Sequence, residues 1–213
     1  MIRRSNSGVL FLLAVACMAG GCRVRIERPD TLAIRMIEPR LVEPQGVTAD
    51  APNATIVRLL ETQGRAHIGR RVLHQQPNGE LAEDPVWLWA TTPDRYLDSA
   101  VRYAIGSSPD IRLVEVGRAP SLAVTLVIWQ IEAAPSPRLV GAVELQMTST
   151  ERAVHSEFIR AEEPITADLP GDLAAAAGRL LGRLAADSLS RFMHRADDAD
   201  VAGRDLVSRS LRP

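Results

Sequence analysis

The spacing of apolar and polar residues divides the chain into a series of strands and two helices. The stretch "TLAIRMIEP" sets Leu32, Ile34 and Met36 against Ala33 and Arg35, an alternation that predicts a first strand. The following "RLVEPQGVTADAPNA" is rich in Pro, Gly and Ala and reads as a loop. "TIVRLLE", from Thr55, is a second strand. "AHIGRRVLHQQPNGELAEDPVWLWA" is a hairpin, with Ile68, Val72 and Leu73 marking one arm and Pro77 to Gly79 supplying the turn. In "TTPDRYLDSAVRYAIGSS" the period changes to that of a helix. Thr92 is placed to cap it, Pro93 suits its first turn, and Asp94 faces the positive end of its dipole. Leu97, Ala100, Val101, Ala104 and Ile105 form its apolar stripe, and Gly106 and Pro109 end it.

Beyond the helix, "DIRLVEVG" alternates again and predicts a strand. "SLAVTLVIWQIEA" is long and β-branched, as expected of a central strand. "PSPRLVGAVELQMTST" should return antiparallel after a Pro-rich turn, and "AVHSEFIRAEEPI" should complete a meander. From Asp172 to Arg195 the pattern is helical. Leu173, Ala177, Leu180, Leu181, Leu184 and Phe192 lie on one side, with Arg179, Arg183, Asp187 and Arg191 on the other. This order of elements predicts an α+β fold, a mostly antiparallel sheet with two helices packed on one face. The domain is expected over residues 22–195, followed by a flexible C-terminal tail over 196–213.

The start of the chain follows a different logic. Arg3 and Arg4 precede an apolar run from Val9 to Ala19, and Gly20 and Gly21 lead into Cys22. A basic start, a short apolar core and a small-residue exit describe a secretory leader over residues 1–21. The run is about half the ~20 apolar residues that a membrane-spanning helix needs. Ending on Ala19-Gly20-Gly21-Cys22, it resembles the lipobox of bacterial lipoproteins. The resemblance implies that the Cys22 thiol takes a diacylglycerol, that the chain is cut just before it, and that the new amine is acylated. Ala19 stands where that family usually has Leu, and Cys17 is a second candidate that would shorten the apolar core. Cleavage before Cys22 removes Cys17, so the chain's two cysteines are not disulfide partners. The residue after Cys22 is Arg23 rather than the Asp that retains enteric lipoproteins at the inner membrane, so the resemblance implies the outer membrane, facing the periplasm.

Charge narrows the partners. The leader holds two of the 25 basic residues and none of the 26 acidic ones, so the remainder carries a net charge of −3. That is no footprint for nucleic acid. His67, His74, His155 and His194 do not fall at metal-ligand spacing, so no metal or other cofactor is expected beyond the lipid anchor at Cys22. The sequence has no serine elbow and no phosphate-cradling glycine loop, and processing leaves no cysteine nucleophile. Glu83 and Asp84, just before Pro85, read as the rim of a turn. The expectation is a protein that is not an enzyme. An envelope hydrolase would instead require a cleft with clustered carboxylates or a metal.

Two features point towards partners. Trp87 and Trp89 alternate and so share a face. Either they roof the helix that follows, or they form an apolar patch facing lipid or a partner. In the last helix Ala174, Gly178, Gly182 and Ala186 recur every four residues, a seam that permits close packing. It serves packing on the chain's own sheet or, alternatively, a subunit interface in a homo-oligomer.

The lipobox cysteine, the first strand soon after it, "VWLWATTPDRYLDSAVRYAI", "DIRLVEVG", "LAVTLVIWQIEA", "GAVELQMTS" and the closing "DLAAAAGRLLGRLAADSLSRF" together resemble the ABC-type transport auxiliary lipoprotein family. The likeness covers residues 22 to about 195 and includes Trp89, Pro93 and Leu97 at the start of the first helix. It implies a non-enzymatic auxiliary or adaptor component of Pqi- or Mla-like lipid transport between the two membranes. The implied partners are an MCE-domain protein, a permease and an ATPase. A structural envelope lipoprotein, aiding outer-membrane or cell-wall assembly without a transporter, is the alternative.

Overall fold

Strand β7, Ser121–Glu132, organises the molecule, because both of its edges are occupied. The computed structural model describes residues 33–41, 54–133, 135–148, 154–166 and 170–210, with the side chains of the last helix described to residue 196. The leader, Cys17, Cys22 and Leu32 lie outside the described residues. The remaining strands are β1 (Arg35–Ile37), β2 (Thr55–Leu59), β3 (Gln63–Gly64), β4 (Arg71–Gln75), β5 (Leu81–Trp89), β6 (Ile111–Leu113), β8 (Arg138–Thr148) and β9 (Val154–Pro164). The helices are α1 (Pro93–Ser107) and α2 (Pro170–Ser210).

On one edge β7 pairs antiparallel with β8 along its length, from Ser121↔Thr148 to Glu132↔Arg138, and β8 pairs antiparallel with β9. The opposite edge is shared. β2 meets β7 at Ser121 and Leu122, β3 at Thr125 and Leu126, and β4 at Ile131 and Glu132, all parallel. The sheet therefore forks. One arm continues from β4 through β5 to β1, and the other passes from β2 to β6. The long pairings are antiparallel and the parallel ones cover only two or three residues each, so the sheet is mostly antiparallel as expected.

The hairpin β4–β5 turns at Pro77–Gly79. Gly79 adopts φ +86°, open to a residue without Cβ, and Gln76 N–H donates to the Glu80 carbonyl. Helix α1 lies against β6 and β7, α2 crosses β8 and β9, and the two helices pack side by side. Pro93, Leu97, Ala100, Val101 and Ile105 form the buried face of α1, and Leu173, Ala177, Leu180, Leu181, Leu184 and Phe192 that of α2. Burying each larger apolar side chain stabilises the fold by about 1.5–3 kcal/mol.

Several local expectations change. The first strand buries the other face. Ile37 is 2% exposed, whereas Ile34 and Met36 are 59% and 66% exposed. Ile37 pairs with Trp89, and its carbonyl accepts the Ala90 N–H, so Ile37 turns inward, while Ala33 and Arg35 of the same parity stay exposed. With a side-chain period of two, one step of register exchanges the faces. The hydroxyl of Thr92 makes no capping bond; its backbone carbonyl accepts the Arg95 N–H instead. β6 stops at Leu113, and Val116 lies exposed beyond it. Glu83 and Asp84 sit within β5 rather than at a turn. His67 precedes β4, which holds His74. Helix α2 begins at Pro170 and continues to Ser210, past Arg195, into the stretch read as a flexible tail. No proline interrupts it before Pro213.

Candidate functional site

Trp87 and Trp89 divide between the two readings. Trp89 is 1% exposed and tilts against Trp129, with ring centroids 5.7 Å apart and planes at 59°. It belongs to the core. Trp87, two residues earlier on the same face, is only partly buried, and the Arg35 guanidinium lies over its ring, 5.4 Å from the centroid. Trp87 also lines a cleft of about 230 Å³ with Ile37, Val72, His74, Asp84 and Leu173. The cleft is thus built by β1, β4, β5, the end of β7 at Ile131 and the first turn of α2.

Asp84 supplies its polar wall. The Oδ1 atom accepts the N–H groups of Val86 and Trp87, each at 2.8 Å, and Oδ2 lies 3.0 Å from His74 Nε2. Pro85 has no N–H to give, and the pairing register of β4 and β5 shifts between Arg71 and Leu73. The carboxylate serves the two amides that follow the proline. Burial pushes the Asp84 carboxyl up, but the Trp87 and Val86 amides and then His74 outweigh it and hold its pKa below the usual aspartate value. Both oxygens are committed to neighbours, so this ionised group fixes the strand irregularity that carries Trp87.

A second groove, of about 330 Å³, runs between α1 and α2. Its floor includes Ala104, Gly178 and Gly182, and its rim includes Tyr103, Arg179 and Arg183. Beneath it Glu163, 4% exposed, is held by Arg179 at 3.0 Å and by Arg183. The two seam glycines differ. A Cβ at Gly178 would meet the backbone of Arg40, while one at Gly182 would have nothing within 4 Å. The seam is therefore half used for packing against the chain's own segment 33–41 and half open to the groove.

Sequence reasoning missed the Glu163 clamp and the Arg35–Trp87 stack. The signal for the clamp was present: Glu163 shares strand parity with the buried Ile159 and Ala161, and Arg179 and Arg183 stand one helical turn apart. Among the described residues, no group of three or more His, Cys, Asp or Glu could hold a metal ion. Among the same residues, no helix is long and apolar enough to cross a membrane.

A forked, mostly antiparallel sheet under two helices places the chain in the α+β class, and solved structures share this architecture. Protein XCC0632 from Xanthomonas campestris, assigned to DUF330, aligns at a TM-score of 0.63 with 16% identity, over 79% of this chain and 99% of that one. A second solved structure, of an uncharacterized protein, aligns at 0.57 with 12% identity, over 76% of this chain and 98% of that one. At these identities the likeness is one of fold. No family model matches the sequence, and no curated protein does.

Proposed function

We propose that this chain is a lipid-anchored protein of the cell envelope. In this reading its domain acts, without catalysing a reaction, as the periplasm-facing auxiliary component of an ABC-type lipid-transport assembly. The observation that carries the reading is the leader that closes on Ala19-Gly20-Gly21-Cys22, ahead of an α+β fold whose first described strand is Arg35–Ile37. The charged groups support a binding role. Asp84 holds a strand irregularity, Glu132 holds Arg138 and Arg160, and Glu163 holds Arg179 and Arg183. These carboxylates are spent on architecture, and the surfaces they support, the cleft beside Trp87 and the groove between the helices, are lined largely by apolar or small residues. Tethering adds a physical advantage, because confinement at a membrane raises the effective concentration of the domain near a partner without any new contact.

The test is purification of the tagged, acylated chain from envelope membranes in mild detergent. Recovery with an MCE-domain protein, its permease and its ATPase is expected. An acylated chain that comes away alone would overturn the transport role and leave the structural one.

A further inference from the structure

Two large apolar side chains are exposed where the described chain begins, Ile34 just before β1 and Met36 within it. Both stand on the parity opposite the buried Ile37. Met36 stands on one rung with Leu88 and Arg71. The Arg70 Nη2 atom lies 3.9 Å from the Met36 sulfur. β1 is one end of the strand path, and β6 is the other. Other apolar side chains are exposed, among them Val154 and Phe158 on β9. Among the described residues, Ile34 and Met36 are the exposed apolar pair nearest in sequence to the segment that leads back to Cys22.

We propose that the exposed Ile34 and Met36 at the β1 edge rest on the bilayer to which Cys22 is moored. The proposal rests on the anchor reading above. Segment 23–33, even fully extended at roughly 3.4 Å per residue, spans less than about 40 Å. A domain tethered through Cys22 therefore keeps β1 within that distance of the lipid. Unbranched and branched apolar side chains of this kind enter the boundary between headgroups and acyl chains, while a long arginine stem lies along the apolar surface with its guanidinium at the phosphates. Arg70 donates its Nε to the Trp89 carbonyl at 3.1 Å, and its Nη2, beside Met36, is the end placed for that role. Arg71 is shared with Glu83 at 3.1 Å, and Glu38 is a further acid next to the strand, so the attraction is chiefly apolar rather than a matter of net charge. β6, with Val116 beyond it, stands at the opposite end of the strand path from β1 and serves as the reference position.

The test uses the full acylated chain in vesicles of phosphatidylethanolamine with a minority of phosphatidylglycerol. In the processed chain Cys17 is gone and the Cys22 thiol is blocked, so a nitroxide attaches only to an introduced cysteine. Labels at Met36→Cys and Ile34→Cys are compared with one at Val116→Cys, where the native side chain is 89% exposed. The ratio of oxygen to nickel-chelate accessibility should rise several-fold at 34 and 36 relative to 116. If the chain floats with the vesicles while all three labels report water, the proposal fails and the anchor stands. Shielding of 34 and 36 that appears only when a partner protein is added would likewise overturn it. A chain that does not float at all removes the anchor, and the proposal with it.

Discussion

Gly178 lies directly against the backbone of Arg40. A Cβ built on it would sit 2.0 Å from the Arg40 carbonyl oxygen and 2.7 Å from the carbonyl carbon. The Arg40 N–H also donates to the Ala174 carbonyl at 3.2 Å, which ties the segment after β1 to the first turns of α2. The obstruction is main chain, so it cannot rotate aside as the end of a side chain would. Gly178→Ala should therefore destabilise the domain by about 1–3 kcal/mol, the cost of overpacking a close contact. Gly182→Ala meets open space and should be neutral, or stabilising by up to about 1 kcal/mol through helix propensity. Urea unfolding followed by far-UV circular dichroism separates them. Equal effects at both positions would show that the contact with Arg40 does not form.

The paired tryptophans should separate in the same way. Trp89 fills the core against Trp129, and Trp89→Ala should cost about 3–5 kcal/mol. Trp87 is partly buried under Arg35, and Trp87→Ala should cost roughly 1 kcal/mol and leave the domain folded. Thermal melting distinguishes the two. If the domain loses as much from Trp87→Ala as from Trp89→Ala, Trp87 is a core residue and the cleft beside it has no independent existence.

The difference between these two residues shows where the sequence was readable. Strong periodicity and turn chemistry placed β7, β8, β9, both helices and the hairpin, because long runs such as "SLAVTLVIWQIE" admit few alternatives. The short strands were less legible. The strand β1 was found, but either parity contained apolar residues, and neither Ile34 and Met36 nor Ala33 and Arg35 are buried. Only the pairing of Ile37 with Trp89 decides which residue turns inward. The parallel attachment of β2, β3 and β4 to one edge of β7 left no local trace, since registers of two residues are set by the whole sheet. The site divides along the same line. Trp87, Trp89, Gly178 and Gly182 stood out by type and spacing. The fates that separate Trp87 from Trp89, and Gly178 from Gly182, depend on partners far away in sequence.

Acid should weaken the fold through two carboxylates. Burial pushes Glu132 up, but hydrogen bonds and charge from Arg138 and Arg160 hold it below the usual glutamate value; Asp84 is lowered by the contacts described above. A depressed folded pKa contributes stability that is complete above the unfolded value, about 4, and is lost as pH falls from there through the folded values. Melting temperature should thus hold steady from neutrality to about pH 5 and drop below pH 4. Asp84→Asn with Glu132→Gln should lower stability at neutral pH, by about 1–3 kcal/mol per site, and flatten the acid limb. An unchanged acid limb in the double variant would assign the transition to other groups.

The anchor is testable at a single atom. If the Cys22 thiol carries the diacylglycerol, Cys22→Ser removes the only position at which the leader can be exchanged for lipid. The variant should then remain an uncut precursor or appear unacylated, and palmitate labelling should vanish. Cys17→Ser should label like the parent, because residue 17 leaves with the leader. The membrane affinity at stake is large. Each buried methylene contributes about 0.8 kcal/mol, so that one acyl chain holds a protein only reversibly and several hold it firmly. The first described strand begins at Arg35, beyond the altered position, so the melting curve of the Cys22→Ser domain should match that of the parent. A change in labelling without a change in melting identifies lipidation as a property of the leader rather than of the fold. Undiminished label in Cys22→Ser, lost in turn by Cys17→Ser, would move the anchor to residue 17. A mature amino terminus free of lipid would remove it altogether.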